Sequence, residues 1–202
     1  MEAPLPPDLN MLLERAETWL RRDGHVQPML VVEGRRETAI LDIGPVWGPT
    51  SYERRLLLYR LGMLLGFGLD AVRAIAVFDG YFRTGMGDTP TPLVASGSLE
   101  DDPEAKDALF VVEMKADGGV VLIEAYDKIV NLDGTTFLFE PTVAGEGFAR
   151  SGTFAEFWRG LREVEGLMRL GAERYGESLE RAREIVSRQF PVFFPGVRQV
   201  VD

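Results

Sequence analysis

A chain of 202 residues, 46% apolar and 27% charged, has the composition of a globular protein of one or two domains, which excludes a disordered or collagen-like chain. With no cysteine and a single histidine, His25, disulfides, thiolate nucleophiles, thiolate-bound zinc and any three-histidine metal site are excluded. A net charge of −10 makes nucleic acid an unlikely partner for the surface as a whole, because phosphate contacts need a positive field.

The first helix spans about Leu9 to Arg22. Asp8 caps it, and Leu9, Leu12, Leu13, Ala16, Trp19 and Leu20 recur at helical spacing. Gly24 follows at the left-handed position, after Arg21 and Arg22, whose charges suit a helix C-terminus. Strands at Gln27–Val32 and Glu37–Ile43 flank the turn Glu33-Gly34-Arg35-Arg36 and form a hairpin. Thr50-Ser51-Tyr52-Glu53 has capping-box spacing. The helix it opens runs to about Leu65, ends at Gly66 and Gly68, and is apolar on most sides, as a helix between layers or against a partner would be. Val72–Phe82 reads as a central strand.

The stretch Arg83–Asp102 has little periodicity and reads as a functional or mobile loop. Ala108–Lys115 and Val120–Lys128 form a second hairpin around Ala116-Asp117-Gly118-Gly119, and Thr135–Phe139 is a further strand. A capping box at Thr153-Phe154-Ala155-Glu156 opens a helix with Phe154, Phe157, Trp158, Leu161, Val164, Leu167 and Met168 on one face, with a break expected at Gly171. The last helix, about Glu173–Phe190, ends at Pro191, ahead of Phe193 and Phe194.

The order α-β-β-α-β-β-β-α-α predicts an α+β fold: a mainly antiparallel sheet of five or six strands with helices packed on it. The division expected is a sheet domain over 1–145 and a helical extension over 146–202, packed on it or on a partner. This element order resembles roadblock-type and profilin-like small domains. The stretch 72–127, with Gly80-Tyr81-Phe82, Glu100-Asp101-Asp102-Pro103-Glu104 and the strand Ala108–Val112, is similar to small bacterial and phage proteins, a resemblance that implies no activity. Nineteen Arg against Lys106, Lys115 and Lys128, with few Asn and Gln, fit either a heat-adapted protein or a GC-rich genome. No run approaches the roughly 18 apolar residues of a membrane span, and no secretory signal is read at the N-terminus, so a cytoplasmic protein without a membrane partner is expected.

Three functions remain. Glu113-Met114-Lys115, closing an apolar strand, resembles the Glu-x-Lys element of PD-(D/E)xK nucleases. In that family acidic residues hold Mg or Mn through oxygen, and the lysine positions or activates water. The resemblance implies Glu113 and Lys115 as catalytic residues with an acid from Asp101, Asp102 or Asp107. Asp102, Glu113 and Glu124 form the alternative metal set. Two departures weigh against it: all three acids lie in a loop, and a turn and a strand follow where the family has a helix. Glu113 and Glu124 face each other if Gly118-Gly119 forms the hairpin loop, whereas a loop at Asp117-Gly118 separates them; the residues favour neither.

A second function is a small-molecule binder with its pocket under the 83–102 loop. His25, beside Gly24, has no Ser or Asp motif around it and reads as a partly exposed helix-end residue, while Asp79-Gly80-Tyr81-Phe82 closes a strand at a good place for a site. The preferred function is a non-catalytic interaction or scaffold domain without a cofactor. Phe154, Phe157, Trp158, Phe193 and Phe194 supply its interface, and a homodimer is expected because this chain has more apolar surface than it can cover alone.

Overall fold

The run Ala71–Phe82 is apolar on both sides of its two-residue period, and it forms the strand β3 at the middle of the sheet. Ala74, Ala76 and Phe78 are buried on one face, and Ile75 and Val77 on the other. The computed structural model describes residues 9–82, 106–115, 121–130, 136–146, 155–193 and 198–199. The Arg83–Asp102 loop, Asp101, Asp102, Phe154 and Phe194 lie outside the described residues. So do the side chains of Glu124 and Phe193, whose backbones are described.

The fold is α+β with an antiparallel sheet. Helix α1 (Leu9–Asp23) precedes the hairpin β1 (Met29–Gly34) and β2 (Thr38–Asp42). A helical stretch follows: α2 (Ser51–Leu61), one wide π turn (Gly62–Gly66) and the short α3 (Phe67–Leu69). Then come β3, β4 (Lys106–Lys115), β5 (Val121–Val130), β6 (Thr136–Glu146), α4 (Ala155–Tyr175), α5 (Leu179–Phe193) and β7 (Arg198–Gln199).

The sheet has seven strands in the order β6-β5-β4-β3-β1-β2-β7, where five or six were expected. The addition is β7, two residues paired with β2, too short to leave a periodic signature. The strand expected at 135–139 continues to Glu146, through Pro141. A register shift in β5 opposite it accommodates the lost N–H.

Helices cover both faces. On one, Leu12, Ala16 and Leu20 of α1 pack with Met29, Val31, Ile75, Val77, Leu109 and Val111. On the other, Leu58, Leu61, Phe67, Phe157, Trp158, Leu161, Ala182 and Val186 share one core with the opposite side of the same strands. The second helix is apolar nearly all round because it lies between the sheet and α4. Its contact with α4 is made at backbone distance: a Cβ on Gly62 would strike the carbonyl of Phe157, and one on Gly160 the carbonyl of Tyr59.

The glycines end helices differently from the sequence reading. Gly66 and Gly68 do not stop the second helix; Asp70 does, in the left-handed conformation at φ 54°. Gly171 lies inside α4, where glycine costs only about 1 kcal/mol against alanine and the packing of Met168 offsets it. The helix stops at Gly176, φ 66°, with Glu177 N–H bonded to the Ala172 carbonyl at 3.0 Å in Schellman geometry. Gly24, φ 74°, ends α1 as expected, its N–H reaching the Leu20 carbonyl at 3.0 Å. Pro191 sits inside the last turn of α5, which continues to Phe193. Among the described residues, no helix is long and apolar enough to cross a membrane.

Candidate functional site

The α1 face of the sheet carries a charged group at each end of its apolar centre. At one end, Arg73 of β3 lies opposite Glu33 of β1 and Lys115 of β4. Its Nε donates to Glu113 Oε1 at 3.0 Å and its Nη2 to Oε2 at 3.2 Å, a two-pronged pair. Lys115 Nζ is 3.7 Å from Glu113 Oε1, and Arg73 Nη1 is 3.6 Å from Glu33 Oε2. Two acids and two bases close a neutral quartet. Glu113 thus spends both oxygens on a guanidinium, and Lys115 faces that same carboxylate. The β4–β5 register sets Glu113 opposite Leu122 and Glu124 opposite Val111, so the two glutamates are not a cross-strand pair. With Met114 opposite Val121, this is the register of the Asp117-Gly118 alternative and not of the Gly118-Gly119 one; residues 116–120 themselves lie outside the described residues. Among the described residues, no group of three or more His, Asp or Glu is placed to hold a metal.

At the other end, Asp107 is the third candidate acid. It accepts from Lys128 Nζ at 2.8 Å. The same nitrogen lies 3.0 Å from Asp79 Oδ1, a charge contact without hydrogen-bond alignment, and Asp79 Oδ2 accepts the Val26 N–H at 2.7 Å. Asp79 therefore ties the segment after α1 to the sheet. His25 is exposed. Gln27 Nε2 lies 2.7 Å from its Nε2 and the Asp23 carbonyl lies 3.0 Å from its Nδ1, which makes Nδ1 the protonated nitrogen.

The aromatic residues at the start of α4 correct the interface expectation. Phe157 is fully buried and Trp158 is 7% exposed, and their rings meet edge to face at 5.2 Å inside the chain's own core. A first turn rich in aromatics faces inward here because Gly62 lets α2 approach so closely.

Sequence reasoning missed a large concavity. A groove of about 1290 Å³ runs between the β1–β2 turn, the start of β3, α4 and α5. Seven arginines and five acids line it over a floor that includes Leu69, Leu161 and Leu179. Most are paired. Arg183 Nη2 donates to Glu165 Oε1 at 3.3 Å and forms an ion pair with Asp70 Oδ1 at 3.0 Å, and its guanidinium lies 5.4 Å from the centre of the Phe67 ring. Arg35 pairs with Asp70 at 3.1 Å, Arg36 with Glu180, and Arg188 with Glu184 at 2.9 Å. The excess of Arg over Lys was visible in composition, but only folding brings residues 35–36, 70, 158–169 and 178–188 together. The groove is lined by Ala71 and Val72 at the start of β3, whereas the Arg83–Asp102 loop follows the other end of that strand.

A second, smaller concavity of about 600 Å³ lies between α2 and α4. In it the buried Glu156 accepts from Arg55 at 2.9 Å and forms an ion pair with Arg159 at 2.9 Å, and Tyr59 donates to Glu163 Oε2 at 2.6 Å. That hydrogen bond, with burial, raises the Tyr59 hydroxyl above its ordinary range.

No family model, no curated protein and no solved structure matches this chain. The likenesses in element order and over 72–127 therefore stand on the sequence alone.

Proposed function

We propose that the protein is a non-catalytic interaction domain that pairs with a second copy of itself through the outward side of α4 and α5. The observation that supports this most is the pair Leu167 and Leu170, 60% and 66% exposed, one helical turn apart on α4. Ile185 on α5 and Tyr175 at the end of α4 are exposed as well. Exposed leucines at this spacing, beyond the core-packed first half of α4, are the apolar anchor of an interface rather than scattered surface residues. The anchor thus moves from Phe157 and Trp158 to the second half of the same helix.

The metal-dependent hydrolase reading loses its support in the Glu113–Arg73 pair, because a carboxylate held on both oxygens by a guanidinium is a poor ligand for Mg or Mn. The test is light scattering of the wild type and of the Leu167→Glu/Leu170→Glu variant. The wild type is expected at twice the mass of one chain and the variant at one. Equal masses for the two would contradict this surface.

A further inference from the structure

Two of the seven groove arginines, Arg162 of α4 and Arg181 of α5, have no acidic partner among the described residues, and both are exposed. With five acids against seven arginines, the groove carries an excess of two positive charges in a chain of net charge −10. It also holds hydrogen-bond donors with nothing to donate to. The Trp158 indole N–H and the Arg183 Nε–H are both buried without an acceptor. Neither group has any acceptor capacity, so only a lone-pair oxygen satisfies them. Arg183 cannot swing away to find one, because Asp70, Glu165 and the Phe67 ring hold it.

The N-terminus of α5 opens on the same groove. Ser178 caps it by accepting the Arg181 N–H at 3.2 Å, and Leu179 and Glu180 occupy the first turn, where backbone N–H groups lack helical acceptors. Helix N-termini favour anions through these groups and the helix dipole.

We propose that this groove binds a phosphate-bearing small molecule, with Arg162, Arg181 and the Nε–H of Arg183 as its charged contacts and the first turn of α5 and the Trp158 indole N–H beneath as its neutral ones. A phosphate dianion matches the excess of two charges, and its several oxygens can take donors from α4 and α5 together, whereas a carboxylate offers one charge and two oxygens. The apolar floor of Leu69, Leu161 and Leu179 has room for the organic part of such a molecule.

The experiment titrates the full chain with inorganic phosphate, with acetate and a phosphoserine peptide as further arms, by calorimetry at 0.15 M salt and at low salt. Saturable phosphate binding is expected, stronger at low salt and absent for acetate. It should weaken at least tenfold in Arg162→Ala/Arg181→Ala and remain unchanged in Arg21→Ala, on α1 away from the groove. Both arginines are exposed, so the double variant should keep its melting temperature without ligand. No saturable binding, acetate binding as tight as phosphate, or full affinity in the double variant would overturn the proposal. A phosphoserine peptide held over tenfold more tightly than phosphate would overturn the small-molecule class.

Discussion

Thr50 and Glu53 show how local chemistry sets a helix start. The Thr50 hydroxyl accepts the Glu53 N–H at 3.2 Å, while Glu53 Oε2 accepts both the Thr50 N–H at 3.0 Å and its hydroxyl at 2.7 Å. These bonds, the hydroxyl's first, lower the Glu53 carboxyl below its ordinary range. A lowered folded-state value adds stability that is present above the unfolded value and lost as pH falls through the folded one. Thr50→Ala should therefore cost about 1 kcal/mol in urea unfolding at neutral pH, and less in acid. Tyr59 has the opposite sign. Its raised value makes the Glu163 bond stabilise below the ordinary tyrosine range and fail as pH rises through the raised value. An ultraviolet titration should show a late-ionising tyrosine component, part of which moves earlier in Glu163→Gln. Arg73→Met leaves Glu33 without its Arg73 partner and Glu113 with Lys115 alone, and should cost about 2 kcal/mol, the penalty for a lost charged hydrogen-bond pair in a half-buried place. The motif Glu113-Met114-Lys115 was legible in the sequence, but its meaning was not. The decisive partner, Arg73, is 40 residues away and arrives only through the β3–β4 register.

At the scale of elements, the same residue type takes opposite roles according to what surrounds it. Gly160 and Gly62 hold α2 and α4 at backbone contact, with no room for a methyl group. Gly160→Ala should force the helices apart and cost about 3 kcal/mol. Gly171 meets nothing within 4 Å of the place where a Cβ would stand, inside a regular helix. Gly171→Ala should raise stability by about 0.7 kcal/mol through helix propensity alone. Both glycines lie in one helix, and chemical denaturation of the two variants separates the roles. Apolar period and capping residues made α1, the first hairpin, α2 and β3 readable, because these signals are local. Gly171 misled because glycine's cost is smaller than the packing around it, and β7 was invisible because two residues carry no period. Phe157 and Trp158 were read as surface because only the fold brings Gly160 of α4 against Tyr59 and Gly62 against Phe157.

For the molecule as a whole, the helices on the two faces of the sheet bury the central strands on both sides, which is why the apolar run of β3 is continuous. The groove could not be foreseen. Its arginines come from a hairpin turn and two helices that look, one at a time, like ordinary solvated faces. The outward side of α4 carries exposed leucines, and self-association through it is the central claim. Sedimentation equilibrium of the wild type from low to high micromolar concentration tests it most directly. A monomer–dimer equilibrium that Leu167→Glu/Leu170→Glu shifts to monomer is the predicted result, and a wild-type monomer at high micromolar concentration would contradict it.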